Sequence, residues 1–176
     1  DAPVAQNDVG VINEDATLTV SNSANANVSG SYDATGEHSG DVINTSSSSH
    51  TDSDPDDSAS LVVSAIRLGS SEGSGTAGTL GSALTGTYGT LTMYATGAYS
   101  YVADQTAADA LIAGATANDV FYYKAAGATT TLTITVTGLG PLAANDTGVV
   151  NEDATVTGTG TVSGTGVLGN DDNGGS

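Results

Sequence analysis

Only Arg67 and Lys124 stand against twenty aspartates and glutamates, so the formal charge of −18 has no adequate internal counter-charge. This scarcity of cations excludes nucleic acid or an anionic lipid surface as partner, because both are bound through a basic face. Cysteine is absent, which removes disulfides as a staple and by itself decides little about compartment. No run approaches the roughly 20 apolar residues of a membrane-spanning helix, so no membrane insertion is expected. The chain starts at Asp1 without a basic-then-apolar leader, and any export signal or anchor is expected outside it. Tryptophan is missing and phenylalanine occurs once among 24 glycines, so the core must be light and stability is expected to lean on bound ions. Crowded carboxylates repel in a compact state, and hard divalent cations held by oxygen are the usual remedy.

Hydrophobic residues nevertheless make up 38% of the chain, more than an acidic disordered tail carries. Thr131 to Thr137 alternates strictly, with Leu132, Ile134 and Val136 on one face, as a half-buried strand does. Gly89 to Tyr94 and Ala98 to Val102 read as a hairpin turning through Ala95, Thr96 and Gly97, with Leu91 and Met93 sharing one face and Tyr99 and Tyr101 another. Leu61 to Leu68, Val120 to Tyr123 and one or two strands within Val9 to Val20 complete the set. Thr106 to Ala113 is helical for a turn or two at most. Short strands separated by Gly, Ser, Asn and Asp clusters predict an all-β, antiparallel sandwich.

Pro3 to Thr19, PVAQNDVGVINEDATLT, returns at Pro141 to Thr157 as PLAANDTGVVNEDATVT, with twelve identities at a constant offset of 138. A period of that size is a whole module, so residues 1–140 are expected to form one sandwich and residues 141–176 the first part of the next, or a segment joining subunits. Asp15 to Val42 spans 27 positions whereas Asp153 to Val167 spans 14, which places an insertion of about thirteen residues within 21–39, read as a surface loop or added hairpin. The exit GLGPLAAND offers no long linker, so successive modules are expected to meet almost directly.

Asp52, Asp54, Asp56 and Asp57 place four carboxylates within six residues, directly before a strand. An irregular acidic loop of this kind supplies the six to eight oxygens that calcium takes, although the spacing and missing glycine exclude an EF-hand. The alternative is a solvated acidic turn. His38 and His50 sit in Ser- and Asp-rich surroundings with no GxSxG nucleophile motif nearby, so no catalytic triad is expected. Carboxylate pairs for glycoside hydrolysis arise by chance among twenty acids, and Tyr88, Tyr94, Tyr99, Tyr101, Tyr122 and Tyr123 are expected to pack in the core or across strands.

Taken in order, PVAQNDVGVINEDATLTV, the acidic turn GDVIN...TDSDPDDSASLVVSAI, GTYGTLTMYATGAYSYVAD, ALIAGATANDVFYYKA and TLTITVTGLGPLAAND resemble the VCBS-type bacterial tandem repeats. These are the immunoglobulin-like or cadherin-like modules of large RTX-type adhesins. The resemblance covers nearly all of one period, with departures at Gly138-Leu139-Gly140-Pro141 and at Lys124-Ala125-Ala126-Gly127. It implies a secreted or cell-surface, extracellular microbial module, Ca2+-dependent in many relatives, serving adhesion or biofilm matrix architecture. Its partners would be neighbouring copies of the same module or subunit, with surface glycans or matrix beyond them.

Cadherin-like modules bind calcium between domains, which on this resemblance assigns junction ligands to Asp8, Glu14 and Asp15 and to their counterparts Asp146, Glu152 and Asp153. Asp104 and Asp119 would be contributed from loops. Asp8 and Glu14 are expected to serve one boundary, Asp146 and Glu152 the next. The competing reading is an Asx-turn and a polar turn entering the first strand. The functional expectation is a non-enzymatic, calcium-stiffened extender in a tandem array. The alternatives are a subunit of a self-assembling fibre or sheath joined by strand addition, and a carbohydrate-binding module.

Overall fold

The computed structural model describes residues 1–20, 41–43, 51–56, 61–140, 152, 153 and 155. The expected insertion at 21–39, both histidines, Asp57 and Asp146 lie outside the described residues, as does nearly all of the second copy.

Two sheets face each other. One carries β1 (Asp8–Asn13), β9 (Ala128–Thr137), β8 (Thr116–Ala125), β3 (Val63–Leu68) and β4 (Ala77–Gly78), side by side in that order. The other carries β2 (Thr17–Val20), β7 (Tyr99–Val102), β6 (Thr90–Met93) and β5 (Ala83–Thr85). The opening segment is divided between the sheets: β1 lies in the first and β2 in the second, separated by the Glu14–Asp15 turn. With the last strand flanked by the first and by the hairpin partner β8, the two packed sheets form an all-β sandwich.

Alternation sets the core. Leu132, Ile134 and Val136 from β9 meet Leu91 and Met93 from β6 and Tyr99 and Tyr101 from β7, all at most 3% exposed. Tyr101 and Phe121 pack edge to face at 6.2 Å, a favoured aromatic arrangement. Gly97 closes the β6–β7 hairpin at φ +93°, where a Cβ is strained. Tyr94, expected in the packing, is 48% exposed instead, because it follows β6 into that turn. The helix is confined to α1 (Thr106–Asp109). No helix among the described residues is long and apolar enough to cross a membrane.

One pairing departs from the antiparallel expectation. β1 runs parallel to β9, from Asp8 opposite Leu132 to Asn13 opposite Thr137. Its inward positions are Asp8, Gly10 and Ile12, while Val9 and Val11 face outward and are half-buried. Gly10 is required where it stands, since a Cβ there would lie 2.7 Å from the Ile134 side chain and 2.9 Å from that of Leu18. The buried stripe continues into Glu14, whose N–H donates to the carbonyl of Thr137 at 2.9 Å. The first strand thus carries a carboxylate inward at each of its ends.

Candidate functional site

Six residue steps separate Asp8 from Glu14, or about 20 Å at the usual strand rise. The two acids therefore occupy opposite ends of the sandwich, which corrects the expectation that they serve a single boundary. Parallel pairing of the first and last strands brings the chain in at the Asp8 end, termed proximal, and out at the Glu14 end, termed distal.

At the proximal end three segments meet around one tyrosine. Val4 and Ser53 exchange backbone hydrogen bonds of 2.8 and 2.9 Å, which lays the acidic loop beside the residues leading into β1. The Asp52 N–H donates to the Ile43 carbonyl at 3.2 Å, and the Val42 N–H to the Gly97 carbonyl at 3.2 Å. Into this junction β8 sends Tyr123, whose hydroxyl oxygen lies 2.7 Å from Asp8 Oδ2, 2.8 Å from the Val42 carbonyl, 3.2 Å from the Gln6 carbonyl and 3.2 Å from Asp52 Oδ2. Asp52 also accepts the Gln6 N–H through Oδ1 at 2.7 Å. Asp41, fully buried, accepts the Ile43 N–H at 2.8 Å and packs against Gly97, where a Cβ would stand 2.8 Å from its Oδ1.

A phenol carries one proton, and here four acceptors surround it. Asp8 is 4% exposed and its Oδ1 has no hydrogen-bond partner. Burial pushes the Asp8 carboxyl up from 3.8 to about 9, the Tyr123 hydrogen bond opposes this, and the charges of Asp52 and Asp41 add to the rise. Burial likewise pushes Asp52 up to about 6, held back by the Gln6 N–H and Tyr123. Tyr123 is driven far above the usual phenol range by burial and by the charges of Asp8 and Asp52, so it keeps its proton. Such an arrangement is starved of positive charge: it must take up protons or a cation.

The other acids predicted from sequence fall into different surroundings. Asp54 accepts the Asp56 N–H at 3.3 Å in a local turn, and Asp56 pairs with the amino group of Asp1. Asp104, exposed beyond the distal end of β7, accepts from Thr90 Oγ1 at 3.0 Å and from the Gln105 amide at 2.8 Å. Asp119 was expected in a loop but lies within β8, where its buried carboxylate accepts the N–H groups of Thr87, Tyr88 and Gly89 at 2.8 to 3.1 Å and the Tyr101 hydroxyl at 2.7 Å. Four donors leave that carboxylate without a demand for metal. Asp15 takes φ +58° in the turn between the sheets, and Asp153 repeats it at +65° in the second copy, where Glu152 and Asp153 are both exposed. Among the described residues no three acidic or histidine side chains form a ready-made metal set.

Glu14 is a clasp. Its Oε1 accepts the N–H groups of Leu139 at 2.7 Å and Gly140 at 2.9 Å, tying the chain's exit to the end of the first strand. Replacing Glu14 with Ala leaves the part-buried Leu139 N–H and the buried Gly140 N–H without their acceptor and is expected to cost about 1–3 kcal/mol, read from urea unfolding. Hydrogen exchange at Leu139 and Gly140 should accelerate in parallel. Unchanged protection of those two amides would show that the clasp does not hold the exit.

Asp41 was not singled out from the sequence, although it stands in the GDVIN turn that was. Its neighbour Gly97 supplied the available signal: a hairpin glycine marks a place where something approaches the backbone closely. No family model matches the chain, and no curated protein matches it.

Proposed function

We propose that the chain is a non-enzymatic extender module of an extracellular tandem array of the adhesin kind, stiffened by calcium. The observation that carries this reading is the parallel pairing of β1 with β9, which sends the chain in at one end and out at the other. The opening motif starts again at Pro141, immediately after the clasped exit, so the next module begins where the previous one ends. Modules joined in this way add length rather than bulk. The charge of −18 supports calcium as the accompanying ion and an exterior rich in that ion as the setting. Neighbouring copies of the module are its partners.

Small-angle scattering on a chain of three consecutive periods tests the reading. The maximum dimension should rise in proportion to the number of modules, and further in calcium than in EDTA. A dimension that stays near that of one module would sink it. Electron microscopy of the same material separates a linear array from a laterally ordered fibre.

A further inference from the structure

The geometry points to a binding site for a hard divalent cation, calcium in preference to magnesium, at the proximal end of the sandwich, formed by the carboxylates of Asp8 and Asp52 with the carbonyl oxygens of Gln6 and Val42. This gives the calcium of the extender reading a definite place and rests on that reading for the identity of the ion. It moves the ion away from the boundary and into the module itself.

Three observations carry it. The four oxygens come from three stretches of chain, Gln6 and Asp8 on one of them, and lie within 3.2 Å of the Tyr123 hydroxyl oxygen, so the fold has brought them together. The hydroxyl carries one proton and so cannot satisfy all four of them. The Asp8 side chain joins this group through Oδ2, is 96% buried, and has no partner for Oδ1. A buried carboxylate oxygen with no donor is a costly feature unless something positive completes it.

The donor set suits calcium. Two carboxylates mixed with backbone carbonyls in irregular array match its flexible coordination, whereas magnesium demands a near-ideal octahedron and dehydrates reluctantly. Asp41 lies close enough to act on Asp8 and Asp52 through its charge, and so adds negative potential for the ion to satisfy. Arg67 donates to the carbonyls of Ser74 and Gly75, and Lys124 faces Glu72 at 4.0 Å. Neither of the chain's two basic side chains is placed to neutralise the cage.

The test uses the full 176-residue chain at pH 7.5, with CaCl2, MgCl2 or EDTA, and follows thermal unfolding. Millimolar calcium should raise the midpoint by about 5–10 °C over EDTA and magnesium by less. Asp8→Asn keeps the shape and removes the charge. It should bring the calcium shift to within a degree or so of zero and leave the midpoint in EDTA no lower than that of the parent. Asp52→Asn, at the rim of the cage, should weaken the response without abolishing folding and serves if Asp8→Asn fails to fold. Asp109→Asn, on α1, should keep the full shift. Terbium provides a second readout, since its emission is sensitised by nearby tyrosine and should be lost in Asp8→Asn and kept in Asp109→Asn.

A full calcium shift and terbium emission in both Asp8→Asn and Asp52→Asn would overturn the assignment while leaving calcium dependence intact. No shift and no emission in the parent would overturn the site and the calcium part of the extender reading together. Elongation in scattering is independent of either result.

Discussion

Asp119→Ala should lower the stability of the module by about 4 kcal/mol, the range seen when a buried, multiply hydrogen-bonded charge is removed and its donors are left behind. The substitution deprives three consecutive backbone N–H groups, at Thr87, Tyr88 and Gly89, and the Tyr101 hydroxyl of their acceptor. The turn is shaped around this carboxylate: a Cβ on Gly86 would stand 2.3 Å from Asp119 Oδ2. Asp119→Asn should be nearly as damaging, because its amide turns a donor toward donors. Urea unfolding in EDTA and in calcium should give the same loss, which separates a structural carboxylate from an ion ligand. A loss below about 1 kcal/mol would mean that water replaces the carboxylate in the turn.

The second large effect is a dependence on pH that runs opposite to ordinary acid denaturation. Asp8 has its folded pKa raised to about 9, and Asp52 to about 6, from 3.8. Between the unfolded and folded values the native state binds more protons than the unfolded state, so stability falls as pH rises through that window. Asp52 contributes from about pH 4 to 6 and Asp8 up to about pH 9. One proton of difference corresponds to about 1.4 kcal/mol per pH unit and falls to half a proton at the folded pKa, so the ion-free chain should lose about 2 kcal/mol between pH 7 and 9. Urea unfolding at each pH in EDTA checks it, with Asp8→Asn expected to flatten the slope. Calcium should flatten it too, since a bound cation takes the proton's place. Constant or rising stability from pH 7 to 9 in EDTA would show that Asp8 does not hold a proton.

The sandwich was legible because its strands announce themselves. Leu132, Ile134 and Val136 alternate with threonines, and both tyrosines of the β7 run point inward with Leu91 and Met93 from its neighbour. The two-residue β4 and three-residue β5 were not, since neither is long enough to show a period. The buried face of the opening strand was not legible, for a physical reason. Its apolar residues Val9 and Val11 suggest the buried face, yet the core side carries Asp8, Gly10, Ile12 and Glu14. The clue lay in the repeat, where that set returns as Asp146, Gly148, Val150 and Glu152 while Val9 becomes Thr147. Acids were named as ligands from spacing in the loop Asp52 to Asp57 and from the resemblance for the rest. Which of them are already saturated, as Asp119 is, and which converge on one phenol, as Asp8 and Asp52 do, depends on pairings between residues 18 to 115 positions apart. Local sequence carries no record of such distances.

The pairing of the first strand with the last also decides how the module answers to tension. A pull applied at the entry and exit of the sandwich draws β1 toward one end and β9 toward the other, along their common axis. The hydrogen bonds between them lie across that axis, so they are sheared together instead of peeling one after another. Asn7 Oδ1, bonded by the hydroxyls of Thr130 and Thr131, pins one extremity of this seam, and the Glu14 clasp pins the other. The fold thus lays the seam between its first and last strands along the line that joins the chain's entry to its exit.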